Sequence, residues 1–135
     1  MRRAKSKQPL RRPTELELSI LQVLWQHGPG TVREVLHRFN DERGSEAGYT
    51  TVLKMLQIMT EKELVERDDA RRPQVYRARL SQEQTQRQLV SDLLERAFGG
   101  SAKQLVMQAL ATRKTPEAEL TQIEKLLDKL EGDSQ

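Results

Sequence analysis

The chain has 135 residues, with 23 Lys and Arg against 20 Asp and Glu, 36% hydrophobic and 4% aromatic residues, which leaves room for one ordinary domain or a small domain plus an appendage, and none for a multidomain enzyme. The absence of cysteine excludes a disulfide framework, a thiolate metal site and a cysteine nucleophile, and the shortage of rings counts against readers of RNA or single strands, which stack bases on aromatic platforms. No apolar run approaches the ~20 residues that span a bilayer, and the basic start is not followed by an apolar stretch, so the chain is expected to be cytoplasmic, without membrane span or secretory leader.

Residues 1–12 are expected to form a disordered basic arm. Arg2, Arg3, Lys5, Lys7, Arg11 and Arg12 occur there with no acid, and Pro9 interrupts any helix. Such an arm can lie along phosphates and gain affinity by releasing counterions, or it can serve as a solubilising tail.

A winged-helix DNA-binding domain is expected over residues 13–80. Thr14 with Glu17 is a capping box, and Leu16, Ile20, Val23 and Leu24 recur at helical spacing until Gly28 and Pro29 stop the run. Trp25 belongs to the core at the helix end, and His27 suits the negative end of the helix dipole better than a metal site. Thr31 with Glu34 opens a second, short helix with Val32, Val35, Leu36 and Phe39 inward and His37 on the polar side. A polar loop over residues 40–48 then leads to a third helix, from Gly48 or Tyr49 to about Leu64.

In that third helix Val52, Met55, Leu56 and Met59 follow the i, i+3, i+4, i+7 rule and must pack inward. Thr50, Lys54, Gln57 and Glu61 share the opposite face. A helix that reads a major groove needs short hydroxyl side chains and a base near its N-terminus, which Tyr49, Thr50, Thr51, Lys54 and Gln57 supply as candidate DNA contacts; a merely solvated face is the plainer alternative. Residues 64–67 and 75–80 read as the strands of a ribbon, with Tyr76, Ala78 and Leu80 on one face and Val75, Arg77 and Arg79 on the other. Arg71 and Arg72 at its tip are placed to meet a DNA backbone, partly offset by Asp68 and Asp69.

At these positions the sequence resembles the BlaI/MecI/CopY family of penicillinase and related repressors. The resemblance is carried by Pro13-Thr14-Glu15-Leu16-Glu17 leading to Val23-Leu24-Trp25, by Thr31-Val32-Arg33-Glu34-Val35, by Tyr49-Thr50-Thr51-Val52 into Leu56, and by Val75-Tyr76. It implies a mainly α fold with a small β-ribbon, an N-terminal winged helix-turn-helix and a C-terminal helical dimerisation region. The implied function is that of a homodimeric repressor of a palindromic double-stranded operator, acting without cofactor.

Independent signals mark the C-terminal third, residues 81–131, as helical. Ser81 with Gln84 and Ser101 with Gln104 are further capping boxes, Gly99-Gly100 breaks the chain, and Thr115-Pro116-Glu117 starts a last helix with proline at its first position. Leu89, Leu93, Leu94, Phe98, Leu105, Leu110, Ile123, Leu127 and Leu130 form stripes that helices of this length cannot bury alone. A second copy would cover them symmetrically; an intrachain bundle is the alternative. Residues 132–135 read as a disordered tail.

Two features depart from the family pattern. Copper-responsive members carry paired cysteines that this chain lacks, and the Asn-Phe bond cut by a sensor protease in penicillinase repressors aligns with Gln108-Ala109 here. Ala109 offers a protease pocket only a methyl group, so if a sensor protease acts on this chain it uses a different pocket or cuts elsewhere, with Ala97-Phe98 the alternative. Catalysis lacks its ingredients, since the two histidines sit in unrelated settings and no Gly-rich phosphate loop is present. The competing reading from another class is a dimeric protein-interaction module on the same scaffold, which would have no reason to keep the arm and the third helix basic and polar.

Overall fold

A computed structural model describes residues 12–133 of the chain. Arg11 and the rest of the expected arm before it lie outside the described residues, as do the last two residues of the expected tail. The chain divides into two compact units, residues 1–89 and 90–135.

The first unit begins with α1 (Glu15–His27), whose capping box is complete: Thr14 Oγ1 accepts from the Glu17 N–H at 3.2 Å, and the Glu17 carboxylate accepts from the Thr14 N–H at 2.9 Å. Gly28 ends the helix at φ 86°, a conformation that a Cβ would oppose. β1 (Gly30–Thr31), α2 (Val32–Arg43) and α3 (Tyr49–Glu61) follow, then β2 (Val65–Asp68) and β3 (Val75–Ala78). The sheet is antiparallel with order β1-β3-β2, pairing Gly30 with Tyr76 and Val65 with Ala78. This is the winged helix-turn-helix order.

One core joins these elements. Ile20, Leu21, Val23 and Leu24 of α1 meet Val32, Val35 and Phe39 of α2, Val52, Leu56 and Met59 of α3, Val65 of β2 and Tyr76 of β3. Burial of each of the larger aliphatic side chains contributes about 1.5–3 kcal/mol, so the three helices and the ribbon are held chiefly by this cluster.

Several boundaries differ from the sequence expectations. Leu16, expected inward, is 46% exposed, whereas Glu17 is 6% exposed and Leu21 joins the core; the Glu17 carboxylate takes the inward sector because it has a cap and an ion pair to serve there. The second helix continues through Asn40 to Arg43, where Gly44 caps it at φ 62°. The third stops at Glu61 and not near Leu64: Glu63 takes φ 65°, its N–H bonds to Thr60 O and the Leu64 N–H bonds to Met59 O, the closure of a Schellman motif. The sheet has a third strand, β1, that two residues were too short to announce by alternation. β2 lies one residue later than expected and β3 ends at Ala78, two residues early.

The second unit takes the latter half of α4 (Gln82–Ala97), whose first half belongs to the first unit, together with α5 (Ala102–Thr112) and α6 (Glu117–Asp133). Ser81 and Gln84 form the expected reciprocal cap, while Ser101 accepts from the Gln104 N–H at 3.1 Å. Gly99 and Gly100, at φ 55° and 81°, turn the chain after α4. Pro116 directly precedes the last helix, its carbonyl accepting the Leu120 N–H at 3.0 Å. Among the described residues from 90 to 132 none is buried.

Candidate nucleic-acid interface

The turn between α2 and α3 is set by one side chain. Asn40 Oδ1 accepts from the Ser45 hydroxyl at 2.8 Å and the Ala47 N–H at 2.9 Å, and its Nδ2 donates to the Ala47 carbonyl at 3.0 Å. The Asn40 carbonyl also accepts from the Ser45 N–H at 3.1 Å. This amide replaces the backbone ladder that ends with α2, and so fixes where α3 begins.

α3 begins without a cap. α1 and α2 each close their first turn with a threonine hydroxyl and a glutamate, but at Gly48 no side chain accepts from the first turn of α3, and that turn holds no acid. Its leading N–H groups and the positive end of the helix dipole therefore face outward without a compensating charge. Tyr49, Thr50, Thr51, Lys54 and Gln57 are all exposed there, with Val52, Leu56 and Met59 fully buried on the opposite side. Glu61 is exposed too, at the far end of the same face. The electrostatic asymmetry runs from hydroxyls and a base at the N-terminus to an acid at the C-terminus, the order that suits an anion at the leading end.

Arg33, in the first turn of α2, lies over the Tyr49 ring with its guanidinium carbon 5.2 Å from the centroid. The other end of α3 is tied to α1, where Lys62 Nζ donates to Glu17 Oε1 at 2.9 Å and Oε2 at 3.0 Å. Burial pushes the Glu17 carboxyl up, but the Lys62 ammonium and the Thr14 N–H and hydroxyl outweigh it, and the group ends below its ordinary value.

The wing is more self-contained than its sequence suggests. Arg67 Nε donates to Asp69 Oδ1 at 2.6 Å and Gln74 Nε2 to the same oxygen at 3.1 Å, while Arg77 pairs with Glu66 across the ribbon at 3.2 Å. Asp69, with a smaller contribution from Tyr76, holds the Arg67 guanidinium above its ordinary pKa. The Arg72 guanidinium folds back to donate to the Asp69 and Arg71 carbonyls, while the residue stays exposed at the tip. The exposed Arg71 side chain has no hydrogen bond or ion pair among the described residues. Arg12, also exposed, stands just ahead of Pro13 and α1.

Trp25, expected in the core at the end of α1, is half-buried against it, and its indole N–H donates to the Leu80 carbonyl at 2.9 Å; Thr85 in α4 is buried. His27 pairs with Glu42 at 3.0 Å, which ties the ends of α1 and α2, and His37 is exposed. Within the second unit and at its border, Leu93, Leu110, Leu127 and Leu130 are exposed, and Leu89, Leu94, Phe98, Leu105 and Ile123 half-buried. Gln108 and Ala109 are exposed inside α5, where the Gln108 carbonyl accepts from the Thr112 hydroxyl at 2.6 Å.

Sequence reasoning missed Arg33, Asn40 and the Glu17 to Lys62 pair as parts of this arrangement. Asn40 had a local signal, an amide ahead of a Ser and Gly-containing loop; the other two depend on residues brought together only by folding.

A family model described as penicillinase repressor matches residues 13–129. No curated protein matches the chain. No helix among the described residues is long and apolar enough to cross a membrane.

Proposed function

The chain belongs to the penicillinase repressor family, a family of transcriptional repressors, and from that premise we propose that it acts as a homodimer on a palindromic operator, with α3 of each protomer in a major groove. The observation that carries this reading is the uncapped, acid-free N-terminus of α3, ringed by exposed Tyr49, Thr50, Thr51, Lys54 and Gln57. Thr50, Thr51, Lys54 and Gln57 then read base edges. Arg71 at the wing and the arm with Arg11 and Arg12 meet phosphates, which position the protein without selecting sequence.

The exposed leucines of α4, α5 and α6 supply the dimer surface. A set of helices in which no residue from 90 to 132 is buried has apolar area in excess of what a folded monomer leaves in water. A second copy covers such faces with the same residues on both sides. Proteolysis within this region would lower the effective concentration of the two reading helices without touching either. At Gln108-Ala109 a protease would first have to unwind α5, because a bond held in helical hydrogen bonding is not presented in extended form.

The test is selection of bound duplexes from a random pool, with the affinity of the winners followed against salt. A palindromic consensus and a slope of log affinity on log salt of several negative units are expected. Recovery of no duplex even at low salt would overturn the reading in favour of an interaction module.

A further inference from the structure

We propose that Arg33 is a phosphate-binding residue of this interface, held in place by the Tyr49 ring, and that Tyr49 serves as that platform and not as a reader of bases; the proposal rests on the DNA-binding reading above. Arg33 comes from the first turn of α2 and Tyr49 from the first position of α3, and the guanidinium lies 5.2 Å over the ring centroid. A cation–π contact with the ring uses none of the hydrogen-bonding capacity of the guanidinium that an oxygen acceptor needs, so N–H donors remain available on its open side. Both residues are exposed, with Tyr49 at 43%, so the pair has an open side.

The contrast with other arginines sharpens the assignment. Arg77 is matched to a carboxylate across the wing, Arg67 to Asp69 two residues along its own side, and Arg87 and Arg96 to acids one turn away on their own helix. Arg33 makes no ion pair among the described residues. It lies against a neutral ring, which favours this position and leaves its charge without a carboxylate partner. A surface contact that served only to join α2 to α3 would gain as much from an apolar pair; a planar fork kept charged beside the uncapped end of α3 suits a tetrahedral anion that α3's leading N–H groups also face. A guanidinium anchored on the first residue of α3 does not extend along that helix into a groove, which favours the DNA backbone over base edges.

The experiment uses the full chain and two duplexes of equal length, one carrying the selected operator and one scrambled, with binding measured from ~0.05 to ~0.2 M salt. Arg33→Gln is expected to weaken binding to both duplexes by a similar factor, about tenfold, and to make the salt slope shallower by about one per protomer. Arg33→Lys should keep the slope and lose part of the affinity, because the charge survives and the stacked fork does not. Tyr49→Phe should match the parent protein, and Tyr49→Leu should weaken both duplexes alike with the slope unchanged. Arg87→Gln, at an ion pair on α4, should change neither. The thermal midpoint of each variant is recorded alongside. A lowered midpoint in Arg33→Gln with an unchanged slope would make Arg33 interhelical glue and overturn the proposal, as would a Tyr49→Leu variant that alters base preference at the operator. Absence of duplex binding by the parent protein would instead remove the DNA-binding reading itself.

Discussion

The Lys62 ammonium, at the C-cap of α3, donates to both carboxylate oxygens of Glu17, an acid that also closes the capping box of α1. One buried carboxylate therefore ties the C-terminal end of α3 to the first turn of α1. Its pKa is lowered in the folded chain. A group depressed in this way stabilises the fold above its unfolded pKa, near ~4.3, and that stabilisation is lost as pH falls through the folded value.

The first prediction follows from that sign. Lys62→Met should cost about 1–3 kcal/mol near neutral pH, because it leaves a buried carboxylate with only the Thr14 donors. The stability gap between the parent and Glu17→Gln, measured by urea unfolding, should narrow as pH drops from 6 toward 3 (about the carboxylate range). A gap that widens on acidification would mean that the carboxylate is held protonated in the fold.

Asn40→Ala should remove the three side-chain bonds that shape the turn before α3. A loss of about 1–2 kcal/mol is expected in thermal or chemical unfolding. Operator affinity should fall by more than the stability loss accounts for at temperatures where the variant stays folded, since the N-terminus of α3 loses its tether. Unchanged affinity in the folded variant would show that core packing alone places the helix.

Glu63 stands at the left-handed position of the Schellman motif that ends α3, at φ 65°. Glycine adopts that conformation without a Cβ penalty but loses more chain entropy on folding. The balance predicts that Glu63→Gly raises stability by about 0.5–1 kcal/mol, whereas Glu63→Val lowers it, β-branching being the least tolerant of positive φ. Equal midpoints for both variants would count against the strain.

Truncation after Leu89 should leave a folded, monomeric winged-helix unit, because the Trp25 to Leu80 bond and the buried Thr85 lie within the first compact unit. Truncation after Leu80 should be measurably less stable, through loss of the first turns of α4. Operator affinity should drop in both, as a single half-site lacks the effective concentration of two joined ones. Sedimentation of the Leu89 truncation as a dimer would move the interface out of the C-terminal helices.

The sequence by itself determined the parts of this protein that obey local rules. The capping boxes at Thr14 and Thr31, the break at Gly28 and the inward stripe of Val52, Leu56 and Met59 are written in spacing, and all four stand in the fold. The polar face of α3 was legible for the same reason, since a helix with one buried face must expose the other. What spacing could not determine depends on partners far along the chain. β1 is a strand only because Gly30 and Thr31 meet Tyr76 and Val75, and Glu17 turns inward only because Lys62 is there to receive it. Each is a polar or backbone group whose burial or direction is fixed by a long-range hydrogen bond. Hydrophobic periodicity carries no record of such bonds, and tertiary structure alone decided them.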